Sequence, residues 1–71
     1  MMSTKHYAVM YDEGGNALAW LRVTVGPGDT LELSADAFSS RVKISYEVGE
    51  AVVGSNTIKL LETLPKGIVY D

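Results

Sequence analysis

The chain has 71 residues, enough for one domain, with a formal net charge of -3, 46% hydrophobic residues and 21% charged residues. It contains no cysteine and one histidine, His6, which excludes disulfides, thiolate metal sites and a multi-histidine metal site within one chain. Acidity with six scattered Lys and Arg argues against a duplex-DNA binder built on phosphate neutralisation.

A chain this short removes only roughly 60% of its unfolded surface from water on folding, so a partner chain is a natural way to complete it. No apolar stretch approaches the ~20 residues of a membrane-spanning helix, and "MMSTKHYAVMY" has no signal-peptide core. The expectation is a soluble cytoplasmic protein, one domain over residues 1–71, with residues 1–4 loose at the terminus.

Turn signals recur at short intervals: Gly14-Gly15-Asn16, Gly26-Pro27-Gly28-Asp29, Gly49, Gly54-Ser55-Asn56 and Pro65-Lys66-Gly67. Such punctuation favours short strands over long helices. "HYAVMY" (6–11) reads as a strand, with Tyr7, Val9 and Tyr11 on one side and His6, Ala8 and Met10 on the other. "DEGGN" supplies a hairpin turn. "ALAWLRVTV" (17–25) then alternates, with Ala17, Ala19, Leu21, Val23 and Val25 on one face and Leu18, Trp20, Arg22 and Thr24 on the other. Antiparallel pairing of these two strands follows.

"GPGD" makes the next turn, and "TLELS" turns Leu31 and Leu33 inward. "SADAF" (34–38) allows one helical turn capped by Ser34. "RVKISYEV" (41–48) predicts a strand with Val42, Ile44, Tyr46 and Val48 toward the core and Arg41, Lys43, Ser45 and Glu47 toward water. In "SNTIKLLETLPKG", Asn56 can cap a helix lined by Ile58, Leu61 and Leu64 and stopped by Pro65. A strand reading fits Ile58 and Leu60 but stumbles at Leu61, so one short helix near 57–64 is preferred. "GIVYD" closes the chain as an edge strand. The fold class is mainly β: a small antiparallel sheet or partly open barrel of about five short strands, or α+β if the 57–64 helix forms.

The glycine turns lack Walker or dinucleotide-fingerprint spacing and open no convincing helix, and Asp12 and Glu13 would repel phosphate. Neither a nucleophile elbow nor a buried carboxylate pair is visible, and so small a chain has little room for a cleft. Asp12, Glu13 and Asn16 lack EF-hand spacing. The chain is therefore expected not to be an enzyme and to carry no cofactor, metal or evident small-molecule site.

What stands out is a surplus of apolar surface. Strands 6–11 and 17–25 are apolar on both faces, yet one small sheet has one core side. Leu18, Trp20 and Arg22, with Met10 across the hairpin, are the candidate protein-interface residues, because Trp, Tyr, Met and Arg are enriched where proteins meet. The function expected is a non-enzymatic protein-protein interaction module, a small inhibitor, adaptor or regulator that binds another protein or itself as a homo-oligomer. The alternative is a nucleic-acid-binding transcriptional regulator. Trp20 and Arg22 on one strand face, with Arg41 and Lys43 on another strand, suit single-strand binding by a barrel. Glu32 and Glu47 among them oppose it.

"DEGG" followed by "GPGDTLEL" resembles pieces of the swapped-hairpin DNA-binding antitoxins and transition-state regulators, through Gly15 and Pro27-Gly28-Asp29. The resemblance covers under half the chain and implies the nucleic-acid alternative only. The turns are closer together than in that family, its intervening helical stretch is replaced by "ALAWLRVTV", and its basic DNA-contacting residues are reduced to Arg22. The chain is not recognised as a member on these residues.

Overall fold

The computed structural model describes residues 3–33 and 41–66. The chain is all-β over these residues, with six strands: β1 (Lys5–Tyr11), β2 (Ala17–Val25), β3 (Thr30–Leu33), β4 (Val42–Ser45), β5 (Glu50–Val53) and β6 (Asn56–Leu61). They form a four-stranded antiparallel sheet of order β2-β1-β6-β5 and a two-stranded ribbon, β3-β4. Among the described residues the strands do not close into a barrel. The "SADAF" and "GIVYD" expectations fall outside the described residues.

Local chemistry makes the turns. Between β1 and β2 the Gly15 amide donates to the Asp12 carbonyl, and Gly15 adopts φ +83°. This is the three-residue hairpin loop that ends in a left-handed residue, where glycine avoids a Cβ clash. In "GPGD" the Asp29 amide donates to the Gly26 carbonyl, and Gly28 at φ +86° follows Pro27, which gives a type II turn.

The core lies between the four-stranded sheet and the ribbon. Ala8, Met10, Val25, Ile58 and Leu60 come from the sheet; Leu33, Val42 and Ile44, with Tyr46 just beyond β4, come from the other side. Leu21, Val23, Leu31, Ala51 and Val53 pack around them. Two hydrogen bonds extend the pairing of the ribbon beyond Thr30 and Ser45. The Gly28 amide donates to Glu47 Oε1 at 2.8 Å, and the Tyr46 amide donates to the Asp29 carbonyl at 2.9 Å.

Two expectations are corrected. Residues 56–61 form a strand rather than a helix. Gly54 at φ +63°, followed by Ser55, makes a two-residue hairpin loop between Val53 and Asn56, which consumes Asn56 as a strand residue instead of a cap. Ile58 and Leu60 then alternate into the core beside Met10 and Ala8, while Leu61 faces the other way opposite Tyr7. Packing between β1 and β5 overrides the helical spacing of Ile58, Leu61 and Leu64.

The strand expected over 41–48 stops at Ser45. The Gly49 amide donates to the Ser45 carbonyl at 2.8 Å, closing a turn over residues 46–48. Tyr46 stays buried, but Val48 is turned out and is 69% exposed. The turn also releases β5, a strand of its own that the sequence reading did not separate.

Candidate functional site

The four-stranded sheet has a second face, turned away from the ribbon. Partners in an antiparallel register share a face, so the pairings define it. Val9 sits between Trp20 on β2 and Lys59 on β6; Tyr7 between Arg22 and Leu61; Thr57 lies opposite Tyr11 on one side and Val52 on the other; Glu50 opposes Lys59. The face thus carries Tyr7, Tyr11 and Trp20 as aromatics and Arg22 and Lys59 as cations. Glu50 is the one carboxylate among these register positions.

Alternation alone generates this. Along β1 the residues Ala8 and Met10 point to the core, which leaves Tyr7, Val9 and Tyr11 for the outer side. Along β2, Leu21, Val23 and Val25 take the core, which leaves Trp20 and Arg22 outside. Val9 is 0% exposed yet stands apart from the main core cluster, at the centre of the outer face.

The aromatics interact. The Tyr7 and Trp20 rings meet edge to face, with centroids 5.9 Å apart and planes at 67°, the arrangement that sets the positive edge of one ring on the negative face of the other. Lys59 Nζ lies 5.7 Å from the Tyr11 ring centroid, within cation–π range. Leu18, 54% exposed, sits at a register irregularity between Met10–Ala19 and Tyr11–Ala17, beside this face at the hairpin end.

Of the residues the sequence singled out, Trp20 and Arg22 are brought together on the outer face, and Leu18 lies beside them. Met10 does not join them. It is buried on the core side, paired with Ala19 and Ile58 and accepting a hydrogen bond at its sulfur from Asn56 Nδ2 at 3.7 Å. Its parity along β1 is that of Ala8, so placing it across the hairpin from Trp20 required crossing the sheet. Sequence reasoning missed Tyr7, Tyr11, Lys59 and Leu61 as members of the same sheet face as Trp20. The shared parity of Tyr7 and Tyr11 was visible, but the β1–β6 pairing that adds Lys59 and Leu61 spans most of the chain.

Elsewhere, the Asp12 carboxylate is held below its ordinary pKa. The largest cause is the Asn16 backbone amide donating to it, joined by the Asn16 side chain and the Gly14 and Gly15 amides. This is turn chemistry, with the carboxylate bonded to its own loop. Among the described residues no three His, Asp or Glu side chains cluster as metal ligands, and no helix is long and apolar enough to cross a membrane.

The chain matches no protein-family model, and neither a curated protein nor a solved structure is detectably similar to it. What the fold defines is a class, a two-layer all-β domain with one aromatic, cation-bearing sheet face outside its core.

Proposed function

We propose that the chain is a non-enzymatic protein-binding module, acting in the cytoplasm as a small inhibitor, adaptor or regulator, and that the outer face of the four-stranded sheet is its anchor. The partner is another protein or a second copy of the chain. The observation that carries this reading is the Tyr7–Trp20 pair on the face away from the core, flanked by exposed Arg22 and Leu18. Aromatic residues and arginine dominate interface energetics, the aromatics because they bury large areas at low entropic cost and arginine because its planar guanidinium offers a fixed fork of donors and stacks on rings.

A second reading rests on the same residues. Three aromatics beside Arg22 and Lys59 could stack bases and neutralise phosphates of a single strand. The net charge of -3 weighs against it.

The test compares Arg22→Glu and Trp20→Ala with wild type and with a Val48→Ser control on the far turn, in affinity capture followed by mass spectrometry, with folding checked by circular dichroism. The module reading expects one protein to be retained by wild type and control and lost by both face variants. Capture indifferent to Arg22→Glu overturns it. In parallel, anisotropy with labelled single-stranded oligonucleotides decides the second reading. Affinity that falls steeply as salt rises would replace the protein-binding reading with the nucleic-acid one.

A further inference from the structure

The cations of the chain are unevenly satisfied. Lys5 Nζ lies 3.8 Å from Glu62 Oε1 and Arg41 Nε lies 3.5 Å from Glu32 Oε1, while Lys43 stands opposite Glu32 in the ribbon. Arg22 and Lys59 differ. Both are exposed on the outer face, and among the described residues no carboxylate pairs with either. Glu50 opposes Lys59 in register, yet the two form no ion pair, and Lys59 Nζ lies near the Tyr11 ring instead. Several carboxylates, by contrast, are engaged at home: Asp12 and Asp29 bond their own turns, and Glu47 accepts from the Gly28 amide. A chain of net charge -3 thus sets two cations against one carboxylate at the register positions of this face.

We infer that the partner docks on the outer face through an acidic segment, with two carboxylates that meet Arg22 and Lys59. This rests on the protein-binding reading and names the chemistry of the partner. The topology sets the spacing. Arg22 stands beside Tyr7 on β2 and Lys59 beside Val9 on β6, with β1 between them. Two inter-strand steps and two residues of rise put their Cα atoms about 12 Å apart. Side chains on one side of an extended segment recur at about 6.7 Å, so carboxylates four residues apart, at about 13 Å, span the two cations. Complementary charge at such exposed positions selects the partner and speeds association more than it adds affinity. A nucleic-acid strand fits less well. It carries a phosphate at every nucleotide, and these would press on Glu50 and on the exposed Glu13 at the hairpin tip as well as meeting the two cations.

The probe is a peptide of alternating Glu and Thr, titrated into isotope-labelled protein and followed by NMR, with a Gln-and-Thr peptide as the uncharged reference. Amide shifts are expected to concentrate at Tyr7, Arg22, Lys59 and Leu61, to shrink as salt rises, and to be absent with the uncharged peptide. Arg22→Gln and Lys59→Gln should each weaken binding about two- to fivefold, the range of an exposed ion pair, and Glu50→Gln should tighten it by a similar factor. The gain at Glu50→Gln separates charge from damage to the sheet, which would weaken binding. Equal shifts from both peptides, or none from either, overturn the inference. So does an oligothymidylate of equal charge that shifts the same residues at lower concentration, or a two-chain mass in light scattering that Arg22→Gln reduces to one. A captured protein that Arg22→Glu releases, but whose contacting segment carries no acidic residue, overturns the inference and leaves the protein-binding reading standing.

Discussion

The Tyr46 hydroxyl donates a hydrogen bond to the Ser3 carbonyl over 2.6 Å, joining residues 43 apart in the chain. Tyr46 is buried at the end of the ribbon, and Ser3 precedes β1, so the bond ties the start of the sheet to the layer packed on it. Lys5 Nζ reinforces the junction, lying 5.6 Å from the Tyr46 ring centroid and 3.8 Å from Glu62 Oε1. Tyr46→Phe keeps the ring and loses the donor. It is expected to cost about 1 kcal/mol, the usual net value of a hydrogen bond, in urea unfolding. An unchanged midpoint would mean that the junction is held by packing alone.

Gly28 sits at φ +86° with no atom within 4 Å of where a Cβ would lie. The penalty for Gly28→Ala is therefore conformational rather than steric, about 1–2 kcal/mol for an L-residue in the left-handed region. A synthetic chain with D-alanine at position 28 should keep wild-type stability. Equal loss from both alanines would mean that the position is crowded.

Asp12 gives the turn a pH dependence. Its folded pKa lies below 3.8 because the Asn16 and Gly14 amides bond the ionised form. The ionised carboxylate thus favours the folded chain above about pH 4, and that contribution disappears as pH falls through the lowered value. Asp12→Asn should flatten the acid limb of a stability-versus-pH curve below pH ~4 without altering its shape near neutrality. An unchanged acid limb would assign the dependence to other carboxylates.

Ile58 and Val52 report on the strand that replaces the expected helix. Ile58 is 0% exposed and sits in the core, whereas Val52 on the neighbouring strand is 73% exposed. Ile58→Ala should cost about 2–5 kcal/mol, and Val52→Ala less than about 0.5 kcal/mol. Similar costs at both sites would contradict the assigned faces.

The legible parts of the fold were those set by local chemistry. The β1–β2 hairpin follows from Asp12 and Gly15, and the two faces of residues 19–23 follow from alternation, which breaks at Leu18 so that Ala17, expected beside Ala19 on the core side, pairs with Tyr11 instead. What escaped was non-local or degenerate. Ile58, Leu61 and Leu64 satisfy a helical period as well as Ile58 and Leu60 satisfy a strand period, and only β1 lying alongside decides between them. β5 is four residues between two glycine turns, too short to show a period. At the candidate site, Trp20 and Arg22 could be read from one strand, but Lys59 joins their face only through the pairing of β6 with β1.

Protein binding at the face around Trp20 has a direct optical readout. Trp20 is the sole tryptophan, so its emission reports on that face without labelling. The decisive measurement is that emission, with acrylamide quenching, as the protein retained in affinity capture is titrated in, using a tryptophan-free form of that protein. The account expects a blue shift and protection from the quencher, both absent in Arg22→Glu under the same conditions. Binding that leaves the emission and quenching of Trp20 unchanged would place the contact elsewhere and contradict the account.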